Sequence, residues 1–235
     1  MAMNETISQP ITGISSMATR NLLADLVEEY ERRVGQRVVI ESVGGVAAAR
    51  RVQEGECFDI AVLAADAIDR LAADGRIVSG SRVDLARSGV AIAVAAGAPR
   101  PDIGTEAALR KAILAARSIG YSTGPSGTHL MRLFEQWGIA EALAPRIVQA
   151  PPGVPVGTLV ARGEVELGFQ QLSEMMHLPG IDVIGALPAE VQIVTIFSAA
   201  ICTVSGQREA AQALLSFLAS PEADRAKLDH GMESA

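Results

Sequence analysis

Aromatic residues, cysteine and long apolar runs are all scarce in this chain of 235 residues. Aromatic side chains make up 3% of the sequence, so Ala, Val, Leu and Ile have to build most of the core. The two cysteines, Cys57 and Cys202, are too few for a disulfide-dense fold and do not have the spacing of a metal site. No apolar run approaches the length that a membrane-spanning helix needs. We expect no metal and no cofactor.

Clusters of basic residues are missing as well. The formal net charge is −7, and no block of Lys and Arg offsets it locally, which argues against a nucleic-acid partner. The first ten residues lack the basic stretch, apolar stretch and cleavage site of a secretory signal. We therefore expect a cytoplasmic protein from the chain as given, or a periplasmic one if a signal peptide has been removed.

Most of the sequence repeats one unit: an apolar strand, a loop of small residues and an amphipathic helix. This repetition predicts an α/β fold in which mainly parallel sheets are flanked by helices. Long apolar strands near residues 89–95 and 192–203 break the repeat, and we predict that they cross between two lobes. The predicted first lobe holds residues 1–88 and 196–235, and the second holds residues 89–195.

A cleft between two lobes is a favoured place for a ligand, and loops at the carboxyl ends of parallel strands face it. Several helix starts in this chain follow such strands. The segments concerned are Ser15-Ser16, Gly44-Gly45, Ala64-Ala65-Asp66 and Ser126-Gly127-Thr128. Helix starts that converge on one cleft favour the binding of an anion.

Residues 120–129, Gly-Tyr-Ser-Thr-Gly-Pro-Ser-Gly-Thr-His, form the most informative loop. The loop follows a short apolar strand and opens a helix with Pro-Ser-Gly-Thr. The backbone N–H groups at a helix start have no partner within the helix, and the helix dipole adds partial positive charge there. A small anion can bind at such a place without a metal or a lysine cluster. The alternative is that Ser126 or Thr128 only caps the helix.

Two positions could supply further polar contacts to an anion. Arg87, with its neighbour Ser88, precedes the first predicted crossing strand, and its guanidinium could hold a carboxylate by two parallel hydrogen bonds. Gln170 and Gln171 follow a strand, and alternation sends one of them toward the cleft as a neutral amide. The predicted ligand-binding residues are Ser15, Ser16, Gly44, Gly45, Arg87, Ser88, Ser126, Gly127, Thr128 and Gln170.

Two residues are candidates for a proton-transfer role. His129 lies in the first turn of a helix, where the dipole favours a neutral imidazole that could serve as the base in a 1,3-proton shift. The alternative for His129 is an ordinary first-turn histidine. Glu174 could also act as a carboxylate base, although a solvated helix face is the expected setting for it.

Several motifs over most of the chain agree with the pattern of one family. They are Glu29-Tyr30-Glu31 with Gly35 and Val38, the segment 55–64, Pro125-Ser126-Gly127 and the segment 162–168. Through them the chain resembles the type II periplasmic binding proteins, and within these the molybdate-binding family. The resemblance implies a two-lobed fold and a small anion, either an oxyanion or a polycarboxylate, in the cleft between the lobes.

Residues 84–90, 97–102 and 185–192 resemble a divergent branch of the same family, which includes aconitate isomerase. That branch implies an enzyme that moves a double bond in a tricarboxylate. The chain also departs from the molybdate binders. It has Gly44-Gly45-Val46 where they carry hydroxyl groups, and Gln170-Gln171 where they place a tyrosine.

Three functions follow from these observations. The first is a small-anion-binding protein of the solute-binding family. Its partner would be an ABC transporter permease if the native gene carries an export signal. The second is a cofactor-independent isomerase of a small di- or tricarboxylate. The third is the ligand-sensing domain of a regulator.

Overall fold

The computed structural model describes residues 9–235 and shows a mixed α/β fold. The described strands are β1 (Ile11–Ser16), β2 (Val38–Val43), β3 (Ile60–Ala64), β4 (Val83–Ala95), β5 (Ile119–Tyr121), β6 (Ile147–Gln149), β7 (Leu167–Gln171), β8 (Ile181–Ala186), β9 (Val194–Ile201) and β10 (Glu233–Ser234). The described α-helices are α1 (Arg20–Val34), α2 (Gly45–Gln53), α3 (Ala65–Ala73), α4 (Glu106–Ala115), α5 (Pro125–Gln136), α6 (Ala140–Leu143), α7 (Val156–Ala161), α8 (Leu172–Met175), α9 (Arg208–Leu218) and α10 (Asp224–Asp229). A short 3₁₀ turn, Met17–Thr19, links β1 to α1.

The strands form a continuous sheet in the order β2-β1-β3-β9-β4-β7-β5-β6, and β8 and β10 pair with β4 outside this path. In the first lobe β1 pairs in parallel with both β2 and β3. In the second lobe β5 pairs in parallel with both β6 and β7. The predicted two-lobed α/β fold is therefore confirmed, with parallel pairs within each lobe and antiparallel pairs along β4 and β9.

Local sequence explains the regular elements of the first lobe. Helix α1 buries Leu22, Leu23, Leu26 and Tyr30, and the helical repeat brings these positions to one apolar face. The helix ends at Gly35, which takes a left-handed conformation with φ of 73° that glycine adopts without a steric penalty. Strand β3 is buried at every residue, which is typical of a central strand covered on both faces.

The buried carboxylate of Asp59 joins distant parts of the first lobe. Its Oδ2 accepts hydrogen bonds from the backbone N–H of Thr12 at 2.8 Å and from Thr12 Oγ1 at 3.0 Å. Its Oδ1 accepts from Ser205 Oγ at 2.6 Å. Because Ser205 follows β9, this carboxylate connects the start of the lobe to the segment that returns from the second lobe.

Strands β4 and β9 run antiparallel and connect the lobes. Residues Val83–Gly89 of β4 pair with β9, whereas Val90–Ala93 pair with β7. The partner of β4 changes between Gly89 and Val90. The division into residues 1–88 with 196–235 and residues 89–195 stays a prediction.

A buried amide fastens the strands at this change of partner. The side-chain nitrogen of Gln171 donates to the carbonyl oxygen of Ser88 at 2.9 Å, and the side-chain oxygen accepts from Thr195 Oγ1 at 2.7 Å. The single side chain thus contacts β4 and β9 from the end of β7. Among residues 9–235, no helix is long and apolar enough to cross a membrane.

Candidate functional site

A cavity of about 300 Å³ lies between the lobes and receives the carboxyl ends of the parallel strands. From the first lobe its wall includes Ser16, Gly44 and Ala64, which end or directly follow β1, β2 and β3. From the second lobe it includes Ser122 and Gln171, at the ends of β5 and β7. The volume is at the lower end of the range for small-ligand pockets.

The helix starts predicted to converge do line this cavity. The residues that precede the first helical turns are Ser16 for the 3₁₀ turn before α1, Gly44 for α2, Ala64 for α3 and Gly124 for α5, and all four are in the wall. The first N–H groups of each helix have no partner within that helix. Together with the helix dipoles, these N–H groups favour an anion at this end of the cavity.

Ser16 both caps a helical turn and lines the cavity. Its Oγ accepts a hydrogen bond from the backbone N–H of Ala18 at 3.3 Å. A Cβ atom added to Gly45 would lie 3.6 Å from the same Oγ. Glycine at position 45 therefore leaves the space beside the Ser16 hydroxyl open to a ligand.

The second lobe supplies hydroxyl groups from Ser122, Thr123 and Ser126. Ser126 is buried and its Oγ lies 3.0 Å from Ser122 Oγ, and both residues line the cavity. The cap of α5 is Gly124, and the Ser126 side chain does not perform that role. The alternative of a helix cap thus does not account for Ser126.

Gln170 and Glu174 form a hydrogen-bonded chain in the cavity wall. The backbone N–H of Val156 donates to Gln170 Oε1 at 2.7 Å, and Gln170 Nε2 donates to Glu174 Oε2 at 2.7 Å. Desolvation by the surrounding protein raises the pKa of Glu174 to about 7, although the hydrogen bond from Gln170 opposes that rise. Glu174 is thus a carboxyl group that changes its charge near neutral pH. The expectation of a solvated helix face for Glu174 is wrong.

Arg70 contributes a positive charge that the sequence did not single out. It lines the cavity from α3, and its Nη1 lies 2.9 Å from Asp66 Oδ2 one turn earlier. Both side chains are largely exposed, at 69% and 61%, so this ion pair contributes little to stability. Arg70 can therefore pair with another anion in place of Asp66. Asp66, Arg70 and Glu174 are the ionisable residues in the described wall.

Two predicted contact residues are buried beside the cavity without lining it. Ser15 is fully buried, and its Oγ lies 2.7 Å from Ser42 Oγ of the neighbouring strand. Ser88 is 1% exposed and contacts the Gln171 amide described above. Both hydroxyl groups join strands to each other.

Arg87 lies on the other side of the sheet from the cavity. It is exposed, and its Nη2 lies 2.8 Å from Glu233 Oε2. The register of β4 against β9 shifts between Asp84 and Ala86, which inserts an extra residue. A one-residue bulge reverses the face that the following side chains occupy, and the sequence gives no sign of it. The arginine contact predicted at this position is therefore not brought to the cavity.

The remaining predicted residues of α5 also lie outside the wall. A Cβ atom at Gly127 would come within 1.9 Å of the Ser122 carbonyl oxygen, so this glycine lets the helix pack against the preceding strand end. Thr128 and His129 are exposed, because the helix turns them away from Ser126. The proton-transfer role predicted for His129 does not follow from this geometry.

Of the predicted contacts, the structure brings together Ser16, Gly44, Gly45, Ser126 and Gln170. Gln170 and Gln171 both line the cavity, although alternation predicts only one of them there. Ser122 and Arg70 are cavity residues outside the predicted set. Ser122 directly follows β5, a position that could have identified it, whereas Arg70 lies in the second turn of α3 and carries no such signal.

This arrangement defines a two-lobed protein with a cavity at the junction, the fold of the type II periplasmic binding proteins. The family described as bacterial extracellular solute-binding protein matches residues 11–233. The chain belongs to that family.

Curated relatives include two kinds of protein. Aconitate isomerase of a Pseudomonas species is 36% identical over 235 residues, covering 96% of this chain and 89% of the relative. The molybdate-binding protein ModA of Azotobacter vinelandii is 27% identical over 208 residues, covering 86% of this chain and 81% of the relative. Among solved structures, the periplasmic molybdate-binding protein of Azotobacter vinelandii superposes with a TM-score of 0.78 at 20% identity, covering 94% of this chain and 98% of that one.

We predict that the stability of the unliganded protein depends on pH through Glu174. In the unfolded chain this carboxyl ionises near its ordinary value of 4.5, but in the fold it ionises near 7. Between these values the ionised form is disfavoured in the folded state, so the free energy of unfolding falls as the pH rises through that window. E174Q removes this loss and should be more stable than wild type by about 3 kcal/mol at pH 8, but by less than about 1 kcal/mol at pH 5.

Urea unfolding at the two pH values measures this difference. E135Q, on the exposed surface of α5, is the matched control and should follow wild type at both. A stability difference for E174Q that is the same at pH 5 and pH 8 would contradict the raised pKa.

Proposed function

We propose that the cavity between the lobes binds a small anion with several carboxylate or oxyanion groups. The convergence of four helix starts on one wall is the observation that carries this proposal. Oriented N–H groups bind an anion strongly because they are preorganised and are shielded from water in a cavity. The hydroxyl groups of Ser16, Ser122 and Ser126 add donors on both sides.

Arg70 is the residue that would pair with a charged group of the ligand. Its present partner, Asp66, lies on the same helix and is exposed, so exchange for a ligand carboxylate costs little. A guanidinium holds a carboxylate by two parallel hydrogen bonds and favours carboxylates over uncharged groups. This residue takes the part that the sequence suggested for Arg87.

A cofactor-independent isomerase of a small polycarboxylate is the second candidate function. Two observations favour it. The aconitate isomerase relative is 36% identical and aligns over 96% of this chain. The cavity wall also holds a carboxyl group, Glu174, with a pKa of about 7, and a group of this kind can accept and return a proton at physiological pH.

The partner and location depend on export. As an exported protein the chain would lie in the periplasm and deliver its anion to an ABC transporter permease. As a protein without export it would act on its ligand in the cytoplasm. In both cases the ligand would lie between the two predicted lobes. The first lobe holds residues 1–88 and 196–235, and the second holds residues 89–195.

We predict that small polyanions raise the melting temperature of the protein. The probes are trans-aconitate, cis-aconitate, citrate, molybdate and tungstate, with uncharged glycerol as the control. A ligand at about a hundred times its dissociation constant adds about 2.7 kcal/mol, which corresponds to a rise of about 5 °C or more for a chain of this size. An unchanged melting temperature with every anion would refute the proposed site.

A pair of arginine variants locates the binding site. R70A should weaken binding of trans-aconitate about 10- to 100-fold, because it removes a charged hydrogen-bonding partner. R87A should bind within about twofold of wild type, since Arg87 lies across the sheet and pairs with Glu233. Isothermal titration calorimetry gives both dissociation constants. Weak binding by R87A combined with normal binding by R70A would reverse the assignment.

A further inference from the structure

The side chain of Glu174 is held in one orientation by its neighbours. A backbone N–H can only donate, so the Gln170 oxygen must face Val156 and the Gln170 nitrogen must face Glu174. The amide therefore donates to Glu174 Oε2 and fixes the plane of the carboxyl group. Gln170 is itself 2% exposed, so its own position is set by packing.

The second oxygen of this carboxyl group is available to a ligand. Within residues 9–235, Glu174 Oε1 has no hydrogen-bond partner, and the residue lines the cavity. The hydroxyl groups of Ser16 and Ser126 and the helix starts lie in the same wall. A bound polycarboxylate would thus have its charges at the helix starts and its carbon skeleton beside Oε1.

Few charged groups face Glu174 from the elements packed against it. Strand β7, helix α7 and the turn Met17–Thr19 contribute no ionisable side chain. Strand β4 contributes Asp84 and Arg87, which pair with Arg82 and Glu233. Asp66 and Arg70 line the same cavity and pair with each other. Desolvation consequently dominates the setting of this carboxyl group.

We propose that Glu174 is the catalytic residue that moves a proton between two carbons of a bound polycarboxylate, with Gln170 as its positioning residue. The assignment rests on the isomerase form of the proposed function. It replaces His129, which is exposed on α5 outside the cavity.

The step conserves atoms and electrons. The ionised Glu174 takes a proton from a methylene carbon that carries a carboxylate and adjoins a carbon–carbon double bond. That C–H bond breaks, and its electron pair spreads over the allylic carbons and the attached carboxylate. Glu174 then returns the proton to the far carbon of the former double bond, where a new C–H bond forms and the double bond shifts by one position. N–H groups of the helix starts stabilise the charge that develops on the carboxylate.

The test uses trans-aconitate in heavy water, followed by proton NMR. Wild type should exchange the methylene proton for deuterium and form the cis isomer. E174Q keeps the size of the side chain and an acceptor for Gln170, so it should bind trans-aconitate within about threefold of wild type at pH 6. Its turnover should fall by at least about 100-fold, which is the contribution expected of general acid–base catalysis.

Two further variants control for folding and position. E174D keeps a carboxyl group but withdraws it by one methylene, and it should retain more turnover than E174Q. E135Q on the surface of α5 should match wild type. If wild type isomerises trans-aconitate and E174Q keeps more than a tenth of that rate, Glu174 is not the catalytic residue, although the protein is still an isomerase. If wild type binds trans-aconitate without exchange or turnover, the isomerase is refuted and the assignment with it.

The positioning role of Gln170 has its own signature. Turnover requires the ionised carboxyl, so kcat/KM should rise with pH through the region near 7 in wild type. Q170L removes the hydrogen bond that favours the ionised form, which should move this rise to higher pH. A variant that is slower at every pH with an unmoved profile would show that Gln170 has only a structural role.

Discussion

The antiparallel pairing of β4 with β9 is the constraint on which the rest of the structure depends. Both strands cross between the lobes, and the Gln171 side chain fastens them where β4 changes partner. This pairing sets the two groups of parallel strands against each other with their carboxyl ends meeting. Every loop that follows one of those strands then opens into the same cavity.

The chemistry of the cavity follows from that geometry. A chain with a net charge of −7 cannot attract an anion by its overall field. The cavity instead offers oriented N–H groups, hydroxyl groups and the one wall arginine, Arg70, among its described residues. Glu174 opposes an anion when it is ionised and tolerates one when it is protonated. Anion binding and the charge of this carboxyl are therefore coupled through Coulomb repulsion.

The sequence predicted the repeating elements well because local signals define them. Small residues after apolar strands marked the helix starts at Ser16, Gly44 and Ala64, and these starts do meet. Thr105 is a residue type that favours a helix cap, and its Oγ1 accepts from the backbone N–H of Ala108 at 3.1 Å at the start of α4. The long apolar strands near residues 89–95 and 192–203 predicted the crossing between two lobes, and the resemblance to a family agrees with that arrangement.

Tertiary effects account for what the sequence did not predict. The bulge in β4 that turns Arg87 away from the cavity depends on pairing with β9. The sequence predicts a solvated Glu174, whereas tertiary packing desolvates this side chain on the short helix α8. The sequence after Pro221 is polar, yet it forms α10 and β10. Its Lys227 side chain is only 2% exposed.

The most direct measurement of the central claim is a titration of the isotope-labelled protein with trans-aconitate, followed by amide chemical shifts. The largest shifts should fall on the first helical turns at the cavity, at Ala18, Val46 and Ser126. Shifts near Arg87 and Glu233, on the other side of the sheet, should be small. Largest shifts at Arg87 and Glu233, or the absence of any shift at saturating anion, would contradict anion binding in the cavity.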